Sequence, residues 1–173
     1  MNDKRIQQVG FSGGCYWCIE AVFQSLIGVR SVRQGWIKPI NGLSYTEGVF
    51  IDFDPDDISL EVLIAVHLHT HDCTTSHALR YRYPSGVYIL NEAQRTAAMR
   101  AMALNQADFT KPLLTRVYDF GDFKLSKESQ WDYYYSDPQK PFCLSKINPK
   151  LQLLLARFSD HISDEKQAII RGV

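Results

Sequence analysis

Apolar positions along the chain switch repeatedly between a period of two and a period near 3.6, and the switches divide it into strands and helices. Val9 to Ser12 is the first strand candidate. Gly13-Gly14 then turns the chain into a helix, on which Ile19, Val22, Phe23 and Leu26 fall at i, i+3, i+4 and i+7. Gly28 is placed to stop it. Arg30 to Ile37 reads as a second strand, followed by a loop through Pro39 and Gly42. In Tyr45 to Phe53, the alternate residues Val49, Ile51 and Phe53 line one face of a third strand. Asp54-Pro55-Asp56-Asp57 makes a turn. A helix from about Ser59 to His69 then carries Leu60, Leu63, Ile64 and His67 on one stripe.

Gly86 to Leu90 is a further strand. Asn91 caps the helix after it, with Gln94 three residues on as in a capping box, and the helix runs to about Gln106. Leu113 to Tyr118 is another strand candidate. A short helix near Lys127 to Tyr134 and helical patterns after Pro149 and Asp160 complete the chain. Strands interleaved with helices, without a repeat or linker, predict one α/β or α+β domain over residues 1–173. Its mixed sheet is built from split βαβ units. The strand order is not readable from the pattern.

Charge and composition narrow the function. The 19 basic and 19 acidic side chains cancel, so no broad field draws nucleic acid or an anionic membrane. No apolar run approaches the ~20 residues a membrane helix needs, and Met1-Asn2-Asp3-Lys4-Arg5 leads into no signal segment. The expectation is a soluble, cytoplasmic protein. Thiols stay reduced there, so Cys15, Cys18, Cys73 and Cys143 are expected to be reactive, metal-binding or simply buried.

Gly13-Gly14-Cys15-Tyr16-Trp17-Cys18-Ile19-Glu20 is the most informative stretch. A cysteine opening a helix after a glycine turn meets unpaired N–H groups and the positive end of the helix dipole. That setting favours thiolate and supplies a nucleophile near neutral pH. The plain alternative is a pair of core cysteines on a buried helix face. Two large aromatics, Tyr16 and Trp17, count against it, since both cannot easily be buried at a turn. The Cys-x-x-Cys spacing suits either a redox pair or half of a zinc site.

This stretch resembles the Gly-Cys-Phe-Trp signature of A-type peptide methionine sulfoxide reductases, with Tyr16 in place of phenylalanine. Further matches follow in order: Gly28-Val29, Gly35-Trp36, Thr46-Glu47 leading into Phe53-Asp54-Pro55, and His71-Asp72. Pro141-Phe142-Cys143 and Ile147-Asn148-Pro149-Lys150-Leu151 match near the C-terminus. The chain departs from the pattern too. It is shorter between Gly35 and Glu47 and between Asp72 and Tyr83, and the Asn-Arg-Gln-Gly-x-Asp stretch has no clear counterpart. Trp131 stands where a histidine is usual.

The resemblance implies a ferredoxin-like roll that reduces the S epimer of methionine sulfoxide, free or in peptides. It makes Cys15 the nucleophile, Glu47 the acid that protonates the departing oxygen, and Cys143 the thiol that resolves the Cys15 sulfenic acid. Cys18 is a second candidate, as competitor or relay. Strand periodicity puts Glu47 on the face of Val49, Ile51 and Phe53, where burial would keep a carboxyl protonated. Tyr16 and Trp17 would wall an apolar slot for the substrate methyl group. Tyr83 or Tyr45 would hold the sulfoxide oxygen; packing is the plain alternative for both tyrosines, as it is for Tyr133-Tyr134-Tyr135. No prosthetic group and no metal are expected, and the cycle needs an external dithiol, with thioredoxin as the partner the family implies.

Three rivals stand beside this reading. Zinc would draw on His67, His69, His71 and Cys73 with Cys15 and Cys18, although residues two apart point well away from each other on a helix. A thioredoxin-like disulfide oxidoreductase would also place Cys-x-x-Cys at a helix start. The third is a relative that has lost catalysis and serves as a binding protein.

Overall fold

A computed structural model describes residues 5–75 and 83–172. Five strands, β1 (Gln7–Ser12), β2 (Val29–Pro39), β3 (Thr46–Phe53), β4 (Gly86–Ile89) and β5 (Arg116–Leu125), form one mixed sheet in the order β1-β3-β2-β5-β4. It closes on itself through antiparallel pairing of β4 with β1. Helix α1 (Tyr16–Gln24) links β1 to β2, and β3 inserts antiparallel between those two strands, which is the expected split βαβ unit. Helix α3 (Glu92–Gln106) links the parallel neighbours β4 and β5, and α2 (Leu60–Thr70) follows β3.

Side chains alternate between two apolar compartments. Val9, Phe11, Val49, Ile51, Phe53 and Val87 face the helices, and Leu63, Ile64 and Leu68 of α2 close over them. Ile37, Phe50 and Tyr88 fill the inner face of the closed sheet. Room there is tight: a Cβ at Gly10 would lie 2.3 Å from the Ile37 Cδ1 of a strand two places away. Full burial of each such side chain contributes about 1.5–3 kcal/mol. The helix-side compartment is therefore the larger source of stability.

Local signals explain the element ends. Ser59 caps α2, accepting from the Val62 N–H at 3.1 Å. Asn91 caps α3 by accepting from Gln94 N–H at 2.9 Å, while Gln94 Oε1 reaches back to the Leu90 N–H. Gly28, at φ 95°, turns the chain after α1 as expected.

Two expected elements are displaced. The strand expected at Leu113–Tyr118 begins at Arg116 and runs to Leu125, because β2 pairs with its polar second half. The helix expected over Lys127–Tyr134 is broken into a 3₁₀ turn (Glu128–Gln130) and α4 (Tyr133–Ser136). Asp132, between them, is left-handed at φ 52°. The break has a partner: the Asp132 and Tyr133 N–H groups donate to the buried carboxylate of Glu20 on α1 at 2.9 and 3.1 Å. A π-helical turn (Cys143–Ile147) then leads into α5 (Asn148–Phe158), and α6 (Asp164–Arg171) is capped by Ser163.

Candidate active site

Cys15 is the N-cap of α1, in extended conformation (φ −65°, ψ 133°), at the point where β1 ends. Gly13 and Gly14 make the turn with φ of 140° and 150°, a region that side-chain-bearing residues avoid. A Cβ at Gly13 would also meet the His71 ring at 2.9 Å. His71 is itself fixed: its Nδ1–H donates to the His67 carbonyl, and its Nε2 shares a hydrogen bond with the Ser85 hydroxyl at 2.7 Å. Thr115 holds Ser85 in turn, at 2.6 Å. His67 Nε2–H donates to the Ser12 carbonyl at 2.8 Å, so α2 and β4 together hold the end of β1 where it delivers the cysteine.

The first turn of α1 sets three groups that favour a thiolate beside the Cys15 sulfur: the Cys18 thiol and the backbone N–H groups of Trp17 and Cys18. Chiefly through the Cys18 thiol, they hold the Cys15 thiol below its ordinary range, against the opposing effects of burial and of the Glu47 charge. The same hydrogen bond, with burial and the charge on Cys15, pushes the Cys18 thiol far up. The pair is asymmetric: Cys15 is the readier to ionise, and its neighbour keeps its proton.

Glu47 is half-buried near the start of β3, and its Oε1 accepts the Tyr16 N–H at 3.1 Å. That bond ties the carboxylate to the residue next to Cys15. Trp36 is its direct cross-strand neighbour, and the Trp36 ring lies 5.7 Å from Tyr16, edge-on. Glu47, Tyr16 and Trp36 thus make one corner beside the nucleophile.

Trp17 turns the other way. Its ring stacks on Tyr133 at 3.9 Å and 11°, and the Phe142 ring meets it edge-on at 5.5 Å. Cys143 follows Phe142 in the π-helical turn and is fully buried, which pushes its thiol up. A narrow pocket lies behind Cys15 and Cys18, lined also by Gly13, His67, His71 and Lys150.

The expected residues are therefore distributed unevenly. Cys15, Cys18, Tyr16 and Glu47 come together, while Trp17 and Cys143 adjoin them within a layer of aromatic rings. Tyr45 donates its hydroxyl to Asp122 on β5, and Lys38 and Lys124 lie over its ring. That partnership leads away from the cysteine. Tyr83 is half-buried two residues before Ser85. The histidine series separates as its spacing implies: His67 and His71 bond as above, and His69 faces Asp108 at 3.2 Å. The Cys73 thiol donates to the Leu68 carbonyl. Among the described residues no three His, Cys, Asp or Glu side chains gather as metal ligands.

Glu20, Trp36, Tyr133, Phe142 and Lys150 complete the surroundings, and the sequence reading assigned none of them a role. Glu20 had a signal, as the sole charged residue of α1.

Residues 7–162 match the family model described as peptide methionine sulfoxide reductase. The chain belongs to this family. Relatives named peptide methionine sulfoxide reductase MsrA include one from Chromobacterium violaceum, 34% identical over 85% of this chain and 93% of its own. Another, from Trichodesmium erythraeum, is 30% identical over 91% and 99%. Among solved structures, reduced Mxr1 from Saccharomyces cerevisiae superposes with a TM-score of 0.70, covering 82% of this chain and 91% of Mxr1 at 17% identity. Mxr1 has also been solved in complex with Trx2, with a TM-score of 0.61 over 75% and 86%. The match sets aside the thioredoxin-like reading of the Cys-x-x-Cys pair.

Proposed function

We propose that this protein reduces methionine sulfoxide, the S epimer, free or peptide-bound, to methionine, in the cytoplasm and without a prosthetic group. The observation that carries the reading is the place of Cys15 at the N-cap of α1, three residues from Cys18, with the Glu47 carboxyl group bound to the N–H of the next residue. The Cys15 thiolate attacks the sulfoxide sulfur, and the Glu47 carboxyl delivers a proton to the oxygen. Methionine leaves, and Cys15 keeps the oxygen as a sulfenic acid. Tyr16 and Trp36 offer the substrate methyl group an apolar corner, with Trp17 supporting it from behind. Tyr83 remains the candidate to hold the sulfoxide oxygen.

The second half-reaction joins Cys15 to another thiol with loss of water. Cys18 is in hydrogen-bond contact at rest and needs little movement. Cys143 is fully buried in the turn that follows Phe142 and enters once the Trp17–Tyr133–Phe142 stack opens, by attack on the first disulfide. An external dithiol then restores the thiols. Thioredoxin is the proposed donor, supported by the complex of Mxr1 with Trx2.

Turnover of a methionine-sulfoxide peptide with a dithiol reductant tests this. Cys15→Ser is expected to abolish it, and Glu47→Gln to slow it about 10²- to 10⁴-fold. A fully active Cys15→Ser protein would refute the mechanism. Peptide binding without turnover by the unsubstituted chain would favour the non-catalytic relative.

A further inference from the structure

The pocket behind the two cysteines holds a group that the reaction above leaves without a role. Lys150, in the first turn of α5, lines it together with Cys15 and Cys18. Its Nζ donates to the Thr70 carbonyl at 3.1 Å, at the C-terminal end of α2. A lysine has much rotamer freedom and ordinarily keeps its ammonium in water. One pinned at a helix end and turned toward a thiol pair is a fixed charge.

We propose that Lys150 is a positioning residue for the second half-reaction, holding Cys18 as the thiolate that attacks the Cys15 sulfenic acid. The proposal rests on the reductase reading and on Cys18 as first resolving thiol. The pocket favours Lys150 over its neighbours for this task. His67 and His71 are each committed to other partners: His67 to the Ser12 carbonyl, and His71 to the His67 carbonyl and the Ser85 hydroxyl. Glu47 is bound to the Tyr16 N–H on the far side of Cys15 and acts on Cys15, and Cys143 opposes ionisation of Cys18. Lys150 alone among these neighbours favours the Cys18 thiolate.

The order of events follows from the chemistry. While Cys15 is a thiolate, it accepts the Cys18 S–H, and its charge keeps that proton in place. Oxygen transfer turns Cys15 into a neutral sulfenic acid and removes both of these restraints at once, leaving burial and Cys143 as the opposing effects. The pull of Lys150 remains. Cys18 then loses its proton, its sulfur forms a bond to the Cys15 sulfur, and the sulfenic S–O bond breaks. The hydroxide takes up a proton and leaves as water, so one disulfide and one water form without any further oxidant.

The test mixes reduced full-length protein with methionine sulfoxide in the absence of reductant, and traps the sulfenic acid at intervals with a dimedone reagent at several pH values. In Lys150→Met the trapped species should persist about tenfold longer near neutral pH, with the midpoint of the resolution profile raised by about one unit. Lys150→Arg should restore it. In a Cys18→Ser background Lys150→Met should change nothing further. An unshifted profile in Lys150→Met, or an equal slowing in the Cys18→Ser background, would overturn the proposal. Methionine released in the first turnover separates the two levels. If the unsubstituted protein releases none, the reductase reading falls and takes this proposal with it; release with an unshifted profile removes Lys150 alone.

Discussion

Removing the Cys18 thiol takes from Cys15 its strongest thiolate-stabilising donor, leaving the two backbone N–H groups. Because that donor lowers the Cys15 pKa, its loss raises it, and the thiolate fraction at neutral pH falls. Iodoacetamide alkylation of Cys15 followed against pH should therefore show its midpoint at higher pH in Cys18→Ala than in the unsubstituted protein. At this scale the sequence was informative about Cys15, because a glycine turn opening a helix and a family signature both mark the same position. It offered Cys18 as a competitor or relay without deciding between them. Which thiol donates to which depends on the rotamers at the first turn, and no residue pattern encodes those. Lys150 and Trp36 fell within matched stretches but carried no role, for another reason: each reaches the site from an element far away in sequence.

Glu20 shows the same limit among elements. Its carboxylate replaces the helical hydrogen bonds that Asp132 and Tyr133 would otherwise form, so a stretch with helical composition is bent around α1 instead. Burial raises the Glu20 pKa, and the two N–H donors pull it back. Glu20→Ala leaves those donors facing an apolar helix. The expected loss is about 1–3 kcal/mol in urea unfolding, with a change in tryptophan fluorescence as Tyr133 loosens from Trp17. The helices α2 and α3 were well placed by their caps, since Ser59 and Asn91 act through contacts three residues away. The bounds of β5 were misjudged because its pairing with β4 at one end and β2 at the other, not its own alternation, decides where it lies.

The whole molecule depends on strands approaching closely enough for the sheet to close. At Gly35 an added Cβ would lie 2.0 Å from the Lys124 carbonyl oxygen on β5, backbone that cannot swing aside. Gly35→Ala should therefore lower the urea midpoint by the equivalent of about 1–3 kcal/mol, chiefly by disturbing the pairing of β2 with β5. Closure itself was not legible: the strand set and the split βαβ units follow from periodicity, whereas strand order depends on contacts distant in sequence. The turn that carries Cys15 has a consequence at this scale. Its position is set from behind, by His71, His67 and Ser85, rather than by the connection between β2 and β3. Foundation and approach are separate parts of the molecule. The approach can shorten, as it has here relative to the family pattern, while the foundation keeps the nucleophile in register. Divergence in what such a protein accepts can then proceed by trimming or extending that connection, with the reacting atom left where it was.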